Sequence, residues 1–143
     1  MTDPVVITGI ARTPMGAFKG AFAEVAAPDL GAVAIRAAIS EANVAADAVE
    51  QVVMGCVLPA GQGQAPARQA ALGADLPKAA EAVTVNKMCG SGMQAAIMAH
   101  DTIKAGSADI IVAGGMENMD QAPLLLGKAR YGYRLGDGAL IDS

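Results

Sequence analysis

The chain has 143 residues, a formal net charge of −4, 53% hydrophobic and only 17% charged residues. It carries no run of Lys or Arg and only 3% aromatics, which excludes the basic face or stacking rings that nucleic-acid binding needs. No apolar stretch approaches the roughly 20 residues that cross a bilayer, so neither nucleic acid nor membrane is expected as a partner.

Residues 1–4 have no basic region and residues 5–10 are too short for a signal segment, so the expected address is cytoplasmic. A mean hydropathy of +0.39 is high for a domain that must solvate its whole surface. It implies that a partner subunit or further sequence covers much of the chain. Cys56 and Cys89 are too few for a disulfide framework. With His100 as the single His, they cannot supply the four ligands of a zinc site, and no metal centre is expected.

Residues 4–10 are short and β-branched and read as a buried strand. Residues 11–22 hold Pro14, Gly16 and Gly20 and read as a loop. Pro28-Asp29 offers a helix start with Asp29 as N-cap, and the helix runs to about Asn43 with Leu30, Val33, Ala34, Ala37 and Ala38 as its apolar stripe. A second strand is expected over 51–58, then a Gly-rich loop over 60–65. A helix follows over 66–72, with Pro66 at its first position and Gly73 and Pro77 ending it. The third strand is placed at 82–86. Cys89-Gly90-Ser91-Gly92 is a tight turn that opens a helix over about 91–105, stopped by Gly106. The fourth strand is placed at 109–114. Strand–helix alternation defines an α/β domain with a mostly parallel sheet. From 116 onward the chain is richer in Gly, charge and Tyr, without a period, and reads as the start of a loop region. The expected division is thus 1–115 and 116–143.

The stretch that carries chemistry is Val85-Asn86-Lys87-Met88-Cys89-Gly90-Ser91-Gly92-Met93. It places a thiol between the C-terminal end of a strand and the N-terminus of a helix, the edge of an open α/β sheet where ligands bind. The first helical N–H groups lack internal partners and the helix dipole adds partial positive charge, both of which favour thiolate, the nucleophilic form. Gly90 and Gly92 clear space for a substrate carbonyl, and the same N–H groups suit a developing oxyanion. A small buried cysteine at a tight turn is nevertheless the commoner case, and the pattern alone leaves both readings open.

The same segment resembles the nucleophile motif of the thiolase family. Three further blocks resemble that family in order and spacing. They are Val6-Ile7-Thr8-Gly9-Ile10-Ala11-Arg12-Thr13-Pro14-Met15-Gly16; Met54-Gly55-Cys56-Val57-Leu58-Pro59-Ala60-Gly61-Gln62-Gly63-Gln64 with Pro66-Ala67-Arg68-Gln69-Ala70; and Gly114-Gly115-Met116-Glu117-Asn118-Met119. Gly90 and the 116–119 run look more like the acetoacetyl-CoA type than the long-chain degradative type, whereas Met88, Gln94 and Asp120 depart from the residues most expected at their positions.

The resemblance implies the N-terminal half of the thiolase fold: a mostly parallel mixed sheet with helices on its faces, plus the start of a loop domain. It implies Cys89 as the catalytic nucleophile, coenzyme A thioesters as substrates with no tightly bound cofactor, and a homodimer or homotetramer. The implied reaction is the reversible Claisen condensation of two acetyl-CoA. The family's activating His and second Cys belong to later motifs, so a C-terminal half is missing and the 143 residues alone are expected to be inactive. In the whole protein the Cys89 helix would be covered by a second sheet, so the chain alone should expose apolar patches. Alternatives are a 3-oxoacyl-CoA thiolase of fatty-acid β-oxidation, a related condensing enzyme, or a non-catalytic half-domain that serves assembly.

Four other features have plainer readings. His100 lies mid-helix, outside any catalytic motif, and reads as an ordinary packed or surface residue. Cys56, in a strand, reads as core. Gly61-Gln62-Gly63-Gln64 with Arg68 admits a coenzyme A phosphate cradle, but a turn shaping the pocket is favoured. Lys128, Arg130, Arg134, Tyr131 and Tyr133 suit either a subunit contact or a solvated loop.

Overall fold

The structure, a computed structural model, describes residues 4–143; residues 1–3, read above for the missing basic region, lie outside the described residues. Three parallel strands form the sheet: β1 (Gln51–Gly55), β2 (Glu81–Val85) and β3 (Ile111–Gly115), in the order β2-β1-β3. Gln51 pairs with both Glu81 and Ile111, and Gly55 with both Val85 and Gly115. Glu50 sets this register from below. Its N–H donates to Ile110 O (3.0 Å), its carbonyl accepts from Glu81 N–H (2.9 Å), and its carboxylate accepts from the N–H groups of Asp109 and Ile110. Those last two bonds hold the Glu50 carboxyl below the usual range.

Helices cover both faces. α1 (Ala27–Ala42) packs on α2 (Pro66–Gly73), which lies on β2 and β1, while α3 (Ser91–Lys104) lies on β1 and β3. Strand alternation explains the division. Val52, Met54 and Cys56 point into a core shared with Ala27, Ala32, Ile35, Ala67, Ala70, Ala71 and Leu76. Gly55 instead meets the start of α3. The helices approach closely because their contact positions are small: a Cβ on Gly31 would lie 3.2 Å from the Ala70 Cβ and 2.7 Å from the Met116 sulfur.

Three expectations are corrected. Residues 5–10 form no strand and join no ladder. Val6, Ile7 and Ile10 are exposed, Gly9 abuts α1, and the Ile10 N–H donates to the Glu41 carboxylate (2.8 Å). This segment and β3 both line an open cavity of about 520 Å³, so a β-branched run without a paired neighbour remains unpaired despite its propensity. On α1, the buried face is Ala27, Pro28, Gly31, Ala32 and Ile35, while Val33 and Ala37 from the expected stripe are exposed. Its N-cap is Ala26, and Asp29 sits in the first turn.

β1, β2 and β3 fall within one to three residues of their expected bounds. Gly106, at φ +71°, follows the end of α3 as anticipated. The tail adds a two-residue antiparallel pair, Leu124–Leu125 (β4) with Ile141–Asp142 (β5). Among the described residues no helix is long and apolar enough to cross a membrane. Large apolar side chains stand in solvent, among them Met15 (80%), Met93 (74%) and Leu135 (99%).

Candidate active site

β2 leaves the sheet at Val85 and enters α3 at Ser91 through a five-residue turn held by its own polar groups. Asn86 Oδ1 accepts the Met88 N–H (3.0 Å), and Ser91 Oγ accepts the Lys87 N–H (2.8 Å) while donating to Met88 O (2.6 Å). Met88 O also accepts the Ser91 N–H (3.0 Å), and Lys87 O the Gly90 N–H (3.1 Å). These bonds hold Met88 at φ +49°, a left-handed conformation that costs a non-glycine residue about 1–2 kcal/mol. The result is a sharp elbow with Cys89 exposed at its outer corner. No side chain caps α3, so its first turn presents N–H groups and the positive end of its dipole at this edge.

The elbow sits close against the sheet. A Cβ on Gly55 would lie 2.6 Å from the Ser91 carbonyl carbon and 2.7 Å from the Gly92 N. Only a bare strand end lets the helix start rest there.

Cys89 opens onto a cavity of about 710 Å³, walled by the 11–18 loop, by α1 at Leu30 and Ala34, and by the strand ends at Val57 and Gly115–Asp120. Three residues of the last segment fix those walls. The Glu117 carboxylate accepts the N–H groups of Val57 (2.7 Å) and Leu58 (3.1 Å). Buried Asn118 donates to Phe22 O (2.7 Å) and Val25 O (2.6 Å), and Asp120 accepts the Lys19 N–H (2.8 Å). The 114–119 run carries the family resemblance, but its sequence alone points to no role for Glu117 or Asn118; the available signal is two adjacent polar residues leaving a strand end.

Cys56 is buried, as expected of a core residue. Burial first, then the Glu117 charge and hydrogen bond, push its thiol up from 9.0 to about 11, which leaves it inert at neutral pH. His100 is surface-exposed beside Asp101 and lines the other cavity, away from Cys89. Arg68 donates to the carbonyls of Ala80 (2.6 Å) and Lys78 (2.7 Å). The loop before it is tied by Gln69 to the carbonyls of Gln62 and Gln64, and the Ala67 N–H at the start of α2 is taken by Thr84 Oγ1 (3.0 Å). That is the geometry of a structural loop.

Fold and site together define an α/β domain that presents a cysteine on a strained strand–helix elbow above an open cleft. The thiolase N-terminal domain family matches residues 5–143, and the chain belongs to that family. It is 52% identical over its whole length to acetyl-CoA acetyltransferase of Cupriavidus necator, covering 36% of that relative, and 49% identical to acetyl-CoA acetyltransferase of Syntrophomonas wolfei over 99% of the chain and 36% of that relative. It is 51% identical to acetyl-CoA acetyltransferase 2 of Arabidopsis thaliana over 96% of the chain and 34% of that protein. The chain thus spans about a third of the length of these curated relatives.

Proposed function

We propose that this chain is the nucleophile-bearing part of an acetyl-CoA C-acetyltransferase, with Cys89 as the residue that carries the acyl group. The observation behind this reading is the exposed Cys89 thiol at the uncapped start of α3, facing the larger cavity. The names of the relatives support the substrate class.

In the proposed reaction the Cys89 thiolate attacks the carbonyl of acetyl-CoA, the S–C bond forms, and coenzyme A leaves as its thiolate. A second acetyl-CoA loses a methyl proton to a base. Its carbanion attacks the acyl-Cys89 carbonyl, giving acetoacetyl-CoA and returning the Cys89 thiolate. The reverse direction is thiolysis. The backbone N–H of Cys89 contributes to stabilising the oxyanion.

The activating His and the acid/base Cys are assigned to sequence beyond these 143 residues, consistent with the share of the relatives covered. By this reading the chain alone is inactive. The exposed Met93 and Ile97 on α3 meet the remainder of a cytoplasmic, homodimeric or homotetrameric enzyme, and residues 116–143 begin its loop region. The test is thiolysis of acetoacetyl-CoA by the whole protein, wild type against Cys89→Ala. Loss of turnover with an unchanged fold is expected, and an active Cys89→Ala protein would refute the assignment.

A further inference from the structure

The Asn86 side chain joins two walls of the cleft at one point. Its Oδ1 accepts the Met88 N–H at 3.0 Å, and its Nδ2 donates to Val57 O at 3.1 Å. Val57 is held from its other side, where its N–H meets the Glu117 carboxylate at 2.7 Å. The exits of all three strands are therefore cross-tied in the order Glu117, Val57, Asn86, Met88. The chain of ties ends on the one residue of the elbow with a left-handed backbone, directly before Cys89.

An Asx turn is the local device that suits this conformation, and the second bond to Val57 fixes the turn to the cleft wall instead of leaving it free to rotate. Asn86 is itself exposed and absent from the hydrophobic core, so burial does not explain an amide at this position.

We infer that Asn86 is a positioning residue that sets the direction of the Cys89 thiol through Met88, acting together with Glu117 through Val57. The inference rests on the proposed role of Cys89 for its functional meaning, but its geometric content does not depend on acyl chemistry.

The test uses the whole protein in three forms: wild type, Asn86→Ala and Asn86→Ser. Serine can still accept the Met88 N–H in an equivalent turn but cannot reach Val57. The first readout is the rate of iodoacetamide alkylation at Cys89, followed by peptide mass and compared with that of free cysteine. The second is the kcat and KM of thiolysis. Asn86→Ala should slow Cys89 alkylation and lower kcat by up to about a hundredfold, the scale expected when a reacting group is misplaced by about 1 Å. KM and the melting temperature should stay near wild type, and Asn86→Ser should recover part of the loss. An unchanged alkylation rate in Asn86→Ala, or no recovery in Asn86→Ser, would overturn the inference. A wild-type protein that alkylates at Cys89 but never turns over would sink the proposed function and leave the alkylation series to decide the positioning role.

Discussion

Replacing Gly55 by Ala is the sharpest perturbation of the elbow. The new Cβ would lie 2.6 Å from the Ser91 carbonyl carbon and 2.7 Å from both the Gly92 N and the Ser91 Cβ, roughly 1 Å inside ordinary van der Waals contact. Two of those three atoms are backbone, so no side-chain rotation relieves the clash, and the start of α3 must lift off the sheet. Overpacking of this kind costs about 1–3 kcal/mol, or roughly 3–10 °C in Tm for a domain of this size. The same lift displaces Cys89, so its alkylation rate should fall with the Tm. Gly127→Ala is the control: a Cβ there meets nothing within 4 Å, and the change should be neutral or slightly stabilising through the unfolded chain. Thermal melts followed by circular dichroism, with alkylation kinetics on both variants, decide the matter. A Gly55→Ala protein that melts with the control and keeps its Cys89 reactivity would refute the account of how the elbow is seated.

Other consequences follow from the same contacts. Because the folded state disfavours the Cys56 thiolate, its contribution to stability is complete below the ordinary thiol value of 9.0 and is lost as pH rises toward about 11; wild-type Tm should drop across that window more than the Tm of Cys56→Ala. Glu117→Gln removes the charge that two N–H groups meet. It should cost about 1–2 kcal/mol in urea denaturation and lower the pH at which Cys56 becomes alkylated. Asn118→Ala frees two carbonyls of the 22–25 segment, and limited trypsin digestion should then cut faster at Lys19. Arg68→Lys should lower Tm, since one ammonium cannot bond both carbonyls in the same fork, while leaving the affinity for coenzyme A unchanged; a selective loss of affinity would revive the phosphate-cradle reading.

The strand–helix order over residues 51–115 was legible because each element is short, uniform in period and punctuated by Gly or Pro. So was the place of Cys89, since a Cys-Gly-x-Gly turn between a strand and a helix has few geometries. The errors have a common physical cause. Residues 5–10 have the β-branched texture of a buried strand, but a strand needs a neighbour, and the texture of one segment says nothing about whether a neighbour is there. The expected stripe on α1 is Leu30, Val33, Ala34, Ala37 and Ala38, whereas the buried face is Ala27, Pro28, Gly31, Ala32 and Ile35; alanine recurs on every side of this helix, so hydropathy does not single out the contact face. Asn86, Glu117 and Asn118 were invisible as pins because their partners lie 29, 60 and 93 to 96 residues away, and no local pattern encodes such a distance.

The central claim is that Cys89 takes the acyl group. The most direct measurement is a peptide mass map of the whole protein quenched in acid after brief exposure to acetyl-CoA, beside the 143-residue chain treated identically. An acetyl group is expected on the Cys89 peptide of the whole protein, none on the Cys56 peptide, and little or none on the isolated chain. Turnover with an unmodified Cys89, or acetyl found only on another residue, would contradict it.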